Sequence, residues 1–287
     1  MGTRALDKAT IRRMFRRLES AMGPQHWWPA GSCFEVVVGA YLTQNTAWTN
    51  VELAMEALRL AGALSVDGIR RVSLEELEGL VRPAGYFRQK AARLKLFVAH
   101  LDVRHGGSLE KMLEQPTDVL RKELLGLVGI GPETADSILL YAGNHEVFVV
   151  DTYTRRIFER HGLVDRETGY EEIRLAVQGA LREEQLQDQD QQQNQRQQPH
   201  PNAAKEETRR EDGAPEPARI EGGSPRLKLL THAPSAASRM ERSELAQNFN
   251  EFHALVVQTA KHYCVMSEPR CERCPLREML PRKLSRG

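Results

Sequence analysis

Asp151 is the residue best placed to do chemistry, because it follows a short apolar run, Val147–Val150, and opens a helix-forming segment. A carboxylate near the anomeric carbon of a sugar stabilises an oxocarbenium-like transition state and can activate the attacking water. An aspartate in this position also serves simply as an N-cap, since it accepts hydrogen bonds from the free N–H groups of the helix. The residue alone therefore leaves a catalytic and a structural role open.

A glycine turn, Gly129-Ile-Gly131, lies upstream between two segments with helical periodicity. Glycine accepts backbone conformations that a side chain forbids, and Pro132 suits the first position of a helix, where no N–H is needed. Free N–H groups at a helix start bind anions, and a DNA phosphate is one such anion. The pattern predicts a helical hairpin that binds DNA, although glycines that only end a helix would look the same.

The hairpin and the aspartate together resemble the helix-hairpin-helix and Gly/Pro/Asp loop of the endonuclease III superfamily of DNA glycosylases. The matching residues are Leu127–Gly131, Thr134-Ala135 and Val150-Asp151-Thr152. The resemblance implies an all-α helix-hairpin-helix fold of two domains with a central DNA cleft between them. It also implies that Asp151 is the catalytic carboxylate and that Gly129, Gly131 and Thr134 bind DNA.

Glu133 stands where bifunctional members of that family carry a lysine, two residues after the second glycine. The lysine amine attacks the sugar, forms a Schiff base and permits strand cleavage, whereas a carboxylate cannot form an imine. The substitution predicts a monofunctional glycosylase, which releases the base and stops. An acid in the first helical turn also has a structural reason, since it meets the favourable end of the helix dipole. Lys122 and Lys261 stay open as displaced lysines that would restore lyase activity.

Two adjacent tryptophans before a proline either cover an edge of the core or form the wall of a base pocket. Together with the residues that follow the hairpin glycines, they resemble the 3-methyladenine glycosylase branch of the superfamily. The target base must be flipped out of the duplex. An alkylated purine is cationic, and aromatic faces attract cations by about 0.5–2 kcal/mol. The predicted base-pocket residues are Trp27, Trp28, Pro29, Phe34, Glu133 and Lys261.

Four further side chains are predicted at the DNA interface on the same resemblance. Gln44, next to Asn45, is expected to fill the gap that the flipped nucleotide leaves. Tyr86 is expected to insert as a second wedge, which kinks the duplex, and Lys90 to meet a phosphate. The structural alternatives are a polar helix end at Gln44 and a solvated helix charge at Lys90.

Three of the four cysteines crowd into the tail as Cys264-x6-Cys271-x2-Cys274, which suits a metal site better than a disulfide framework. The spacing resembles the superfamily's loop for a [4Fe-4S] cluster, which normally needs four thiolates. Leu280 occupies the expected fourth position. Three outcomes stay open: a cluster with an outside or non-cysteine fourth ligand, a vestigial loop without a cluster, and zinc completed by His262.

The chain of 287 residues carries a formal net charge of +1, so DNA binding requires a local basic surface instead of bulk charge. No segment approaches the roughly 20 apolar residues that span a membrane, and the N-terminus lacks a signal-peptide core. We therefore expect a cytoplasmic monomer, nucleoid-associated if bacterial, whose partner is double-stranded DNA with damaged bases.

Composition and periodicity divide the chain into four parts. Residues 34–145 are expected to form a six-helix barrel domain that contains the hairpin at about 117–143. Residues 1–33, an N-terminal helix and the aromatic loop, are expected to pack with a second helical domain made of 146–184 and 241–287. The Gln-rich stretch 185–240 has few large apolar residues and is predicted to be a disordered insertion.

The sequence as a whole predicts a base-excision-repair DNA glycosylase that acts on an alkylated purine such as 3-methyladenine, without lyase activity. Two rivals stay open. One is an endonuclease III-like glycosylase and lyase for oxidised pyrimidines, and the other is a DNA-binding module without catalysis.

Overall fold

The structure, a computed structural model, describes residues 6–197 and 233–281. These residues form helices and no strand, which confirms the all-α prediction. None of the helices in these ranges is both long and apolar enough to cross a lipid bilayer. The α-helices are α1 (Lys8–Met22), α2 (Cys33–Leu42), α3 (Trp48–Leu60), α4 (Val66–Arg71), α5 (Leu74–Leu80), α6 (Phe87–His105), α7 (Leu109–Leu113), α8 (Thr117–Leu125), α9 (Pro132–Tyr141), α10 (Thr152–Arg160), α11 (Tyr170–Gln197) and α12 (Glu244–His262). Short 3-10 turns lie at Arg82–Ala84, Ala237–Arg239, Cys271–Arg273 and Arg277–Met279.

The helices pack in two groups. In the first, α2 contacts α3, α6 and α9, while α6 also contacts α4, α5 and α7. Helix α2 lies at the centre because it is apolar on nearly every side, and its residues from Val36 to Leu42 are buried. Ser32 starts it by accepting the Glu35 N–H at 3.2 Å. The domain boundaries at residues 34 and 145 stay a prediction.

The second group is built around α12, which contacts α1, α10 and α11 and also touches α9 of the first group. Phe15 of α1 and Phe252 of α12 stack with ring centroids 5.2 Å apart. Aromatic contacts of this kind contribute about 0.5–1.5 kcal/mol beyond the area that they bury. The long C-terminal helix thereby brings residues far along the chain next to the hairpin.

Helices α8 and α9 form the predicted hairpin. Gly129 has φ +82°, in the left-handed region, and a Cβ at this position would overlap the side chain of Arg93. The turn therefore requires glycine for both its backbone conformation and its lack of a side chain. Gly131 is the N-cap of α9, and Pro132 is its first residue.

The predicted disordered stretch, 185–240, has the wrong boundaries at both ends. Helix α11 continues to Gln197, because glutamine is a good helix former and extending an established helix costs little. At the other end, Ser235 donates to the Trp28 carbonyl at 2.8 Å, and the Ala237 N–H donates to the Ala30 carbonyl at 3.1 Å. Residues 233–240 thus pack beside the tryptophan pair, and the rest of the predicted insertion, 198–232, lies outside the described residues.

Candidate active site

A cleft of about 960 Å³ lies between the end of α2, the hairpin, the start of α10, and α12. Aromatic walls surround a few converging polar groups, which is typical of ligand sites. Most of the residues predicted for the pocket and the hairpin lie around this one cavity. The lining includes Trp27, Trp28, Gln44, Asn45, Trp48, Gly129, Gly131, Glu133, Thr134, Asp151, His253 and Lys261.

Asp151 lines the cleft and also caps α10, so its catalytic and structural interpretations are compatible. Its Oδ1 accepts the Thr154 N–H at 2.7 Å, and its Oδ2 lies 3.5 Å from Nε2 of His253. Burial opposes ionisation of the carboxyl, but the contacts with His253 and Thr154 outweigh it and lower the pKa of Asp151. The residue is therefore an oriented carboxylate at neutral pH.

His253 orients this carboxylate, and sequence reasoning missed it. Nδ1 of His253 is hydrogen-bonded to the Tyr141 hydroxyl, and Nε2, the other ring nitrogen, faces Oδ2 of Asp151. Tyr141 is fully buried in α9, and burial raises the pKa of Tyr141 well above its usual value. His253 comes from α12, about a hundred residues after Asp151. No local motif signals this contact.

Glu133 faces the same cleft from the first turn of α9. Its side chain is open to water on one side and enclosed by the cleft walls on the other. This partial burial raises the pKa of Glu133 to about 7, and the negative charge of Asp151 adds to the effect. The cleft therefore holds two carboxyl groups that ionise in different pH ranges.

Three tryptophans form one wall of the cleft. The rings of Trp27, Trp28 and Trp48 lie with centroids 5.3–5.9 Å apart, and Nζ of Lys261 lies 5.9 Å from the Trp27 ring centroid. Trp27 and Trp28 are 6% and 7% exposed, so they belong both to the core and to the cleft surface. Trp48 was missed because it starts α3, away from the tryptophan pair in the sequence.

Two residues predicted for the pocket do not line the cleft. Phe34 is buried in the core, because it belongs to the first turn of α2, which is covered on nearly every side. Pro29 is also absent from the lining. The predictions for Phe34 and Pro29 are therefore wrong, whereas Trp27, Trp28, Glu133 and Lys261 do face the cavity.

Gln44 is tied to the hairpin. Its Nε2 donates to the Gly129 carbonyl at 2.9 Å and to the Thr134 hydroxyl at 3.0 Å, and its Oε1 accepts from Arg93 at 3.0 Å. Thr134 is 8% exposed, and its hydroxyl accepts a hydrogen bond from Gln44, while its contact with DNA stays a prediction. Asn45 follows with φ +53°. The insertion of Gln44 into DNA stays a prediction, and it requires breaking these three hydrogen bonds.

The two residues predicted on the loop before α6 have opposite environments. Tyr86 is 66% exposed and has φ +46°, so its role as a wedge stays a prediction. Lys90 is 2% exposed, and its ammonium donates to the carbonyls of Leu42 and Ala84 at 2.9 and 2.7 Å. Burial lowers the pKa of Lys90 to about 8. The predicted phosphate contact is wrong, because the amine holds two backbone segments together inside the protein.

The three C-terminal cysteines line one enclosed cavity of about 20 Å³, together with His161 and Leu280. Cys33 contacts Met240 and does not line this cavity. His262 is also absent from the lining, which contradicts its predicted role as a zinc ligand. The reason is that His262 ends α12 before the chain turns into the cysteine loop.

The side chains around this cavity fit the iron–sulfur cluster that the cysteine spacing implies. Three thiols supply three donor atoms, and Nδ1 of His161 is buried without a hydrogen-bond partner. Burial lowers the pKa of His161 and therefore keeps its imidazole neutral. A neutral imidazole is a metal ligand, so four donors are available although Leu280 supplies none.

A separate polar cluster joins α6 to the hairpin helix α8. His100 and His105 donate to Oε1 of Glu123 at 2.5 and 2.6 Å, and Gln115 donates to Oε2 at 2.8 Å. Burial opposes ionisation, but the three hydrogen bonds lower the pKa of Glu123 to about 2. The cluster holds the hairpin against the first helix group, outside the tryptophan-lined cleft.

Comparison with known families gives a match over residues 38–183 to the HhH-GPD superfamily base excision DNA repair protein family. A putative DNA repair glycosylase of Methanocaldococcus jannaschii is 46% identical over 166 residues, which are 57% of this chain and 75% of that protein. A chloroplastic endonuclease III homolog of Arabidopsis thaliana is 30% identical over 55% of this chain. That match spans 41% of the Arabidopsis protein.

Two solved structures share the fold. A 3-methyladenine DNA glycosylase of H. pylori, bound to 1,N6-ethenoadenine, superposes with a TM-score of 0.59 at 25% identity, over 88% of this chain and 96% of that one. A trapped covalent endonuclease III–DNA intermediate superposes with a TM-score of 0.64 at 18% identity, over 96% of both chains. At 18% identity, the similarity to endonuclease III shows only that the fold is shared.

Proposed function

Because this chain belongs to the HhH-GPD superfamily of base excision DNA repair proteins, we propose that it is a monofunctional DNA glycosylase that removes a flipped, alkylated purine. The family supports the glycosylase class, while the choice of base and the lack of lyase activity are our proposal. The observation that carries it is the cleft, where Asp151 lies beside a tryptophan wall and Glu133 holds the position of the family's lysine.

Asp151 stabilises the oxocarbenium-like sugar that develops as the base leaves. Its low pKa keeps the carboxylate ionised, and the Thr154 N–H and the His253 ring fix its direction. Preorganised charge of this kind acts most strongly in a cleft from which water is largely excluded. An alkylated purine leaves as a neutral base, so the reaction needs no strong general acid.

The walls of the cleft suit a cationic purine. Trp27, Trp28 and Trp48 offer aromatic faces, which attract a cationic ring. An ionised Glu133 adds a negative charge on the same cavity. The ethenoadenine bound to the H. pylori relative, which is itself a modified purine, supports the choice of a purine.

Lys261 favours a second candidate, a glycosylase with lyase activity. Its amine lines the same cleft as Asp151, and burial lowers the pKa of Lys261, which increases the share of nucleophilic free amine. Lys122, the other displaced lysine, lines a different groove together with His100 and Glu123. Only Lys261 of these two therefore stays a candidate for a Schiff base.

Two assays on the same protein test the proposal: base release from methylated duplex DNA, and borohydride trapping on a duplex with an abasic site. We expect methylated purine to be released and no covalent adduct to form. An adduct that disappears in Lys261→Ala but persists in the matched control Lys122→Ala would contradict the monofunctional assignment. Release of oxidised pyrimidines in place of methylated purines would contradict the proposed base.

A further inference from the structure

His161 is a half-buried polar residue that the proposed reaction does not use. It is the C-cap of α10, and it lines the small cavity of the C-terminal cysteines. Its Nδ1 is buried and has no hydrogen-bond partner. A buried nitrogen without a hydrogen-bond partner destabilises the folded protein. A ligand bound at this nitrogen would remove that destabilisation.

The cysteine loop is held against α10 next to this histidine. Arg160 donates to Sγ of Cys264 at 3.2 Å and to the carbonyls of Val265 and Met266 at 2.8 and 3.0 Å. The Cys264 N–H donates to the Thr259 carbonyl at 2.9 Å. The loop and α10 therefore form one fixed unit around the cavity.

We propose that His161 supplies the fourth ligand of an iron–sulfur cluster whose other ligands are Cys264, Cys271 and Cys274. The position of the missing cysteine, Leu280, lines the same cavity but offers no donor atom. A ligand from the end of α10 replaces the missing cysteine. The assignment does not depend on which base the protein removes.

The cysteine spacing, which resembles the family's cluster loop, favours a cluster over a single zinc ion. Zinc draws four ligand atoms to within about 2.0–2.3 Å of one centre. Among the described side chains, the metal-capable group whose ligand atoms all lie within 4.8 Å of one another is His100, His105 and Glu123. His161 and the three cysteines do not belong to that group. Thiolates are also the ligands that iron–sulfur clusters prefer.

The neutral imidazole has a measurable consequence. A cluster with three thiolates and one imidazole carries one negative charge fewer than a cluster with four thiolates. Clusters in which histidine replaces cysteine have higher reduction potentials. We therefore expect the potential to fall when His161 is replaced by a cysteine that still binds the iron.

The test uses the full chain, purified without oxygen, and measures iron, acid-labile sulfide and the EPR spectrum of the reduced protein. The wild type is expected to hold about four irons and four sulfides, with a nitrogen coupled strongly to the cluster in pulsed EPR. His161→Ala should lose most of the iron. His262→Ala, the matched control next to the loop, should keep it.

Two further variants guard against a simple folding defect. His161→Ala combined with Leu280→Cys restores a fourth ligand at the other position, and we expect the iron to return without the nitrogen coupling. His161→Cys should keep the iron at a lower potential. Wild-type protein without iron and sulfide, zinc in place of iron, or an unchanged cluster in His161→Ala would each overturn the assignment.

Discussion

Under the proposed function, replacing Glu133 by glutamine is expected to abolish the pH dependence of the removal of a cationic base. Glu133 lines the cleft with Asp151, and its partial burial and the nearby negative charge raise the pKa of Glu133 to about 7. The side chain is therefore half ionised near neutral pH. Only the ionised form attracts a positively charged purine.

The size of the effect follows from this pKa. With a pKa of about 7, the carboxyl is about 10% ionised at pH 6 and about 90% ionised at pH 8. The pH dependence of kcat/KM reports groups of the free enzyme. We therefore expect kcat/KM for a cationic base to increase by up to about tenfold between these pH values. Glu133→Gln should show no such increase.

The assay is release of methylated purine from duplex DNA at pH 6, 7 and 8, corrected for spontaneous loss. A duplex that contains 1,N6-ethenoadenine, whose base is uncharged in this range, serves as the matched substrate control. A wild-type rate that is flat with pH would refute the reasoning. The same increase in Glu133→Gln would assign the titration to another group.

The raised pKa also predicts a change in stability that is independent of catalysis. The folded-state pKa of Glu133 lies above its usual value of 4.5, so folding disfavours the ionised form. Its contribution to the free energy of unfolding is lost as the pH increases from about 4.5 through about 7. Glu133→Gln should match the wild type in urea unfolding at pH 4 and exceed it at pH 8.

Three other substitutions have defined outcomes. Lys90→Met should lower the free energy of unfolding by about 1–3 kcal/mol, because it leaves two buried carbonyls unpaired, and DNA affinity should not change in a filter-binding assay. Glu123→Gln should remove stability that is present above pH 4.5 and is lost as the pH falls through about 2, as acid unfolding would show. His253→Phe should reduce base release with little change in DNA affinity, because it removes the partner that orients Asp151 and leaves only the Tyr141 hydroxyl unpaired besides.

The hairpin and Asp151 were predictable because the information is local. Position 129 has a left-handed backbone and lies against the side chain of Arg93, so glycine is favoured there. A glycine at a fixed distance from its neighbours can be recognised in the sequence. Asp151 follows a run of buried apolar residues and caps a helix. Its neighbours in the sequence are therefore enough to predict its position. The all-α fold follows in the same way from helical periodicity and caps.

The rest of the site depends on contacts between distant segments. His253 and Trp48 reach the cleft from two other helices. The sequences of those helices do not indicate that either residue lies at the cleft. Lys90 looks like a solvated charge in sequence, and only the carbonyls of Leu42 and Ala84 explain its burial. His161 faces the cysteines because α10 packs against α12. Tertiary packing decides each of these cases.

The most direct test of the central claim compares base release by the wild type and by Asp151→Asn on methylated duplex DNA. Asparagine is as good an N-cap as aspartate, so α10 should remain intact while the charge is lost. We predict that release falls by at least about 100-fold, with unchanged DNA affinity and helix content. Release by Asp151→Asn at the wild-type rate, or no release of any base by the wild type, would contradict the account.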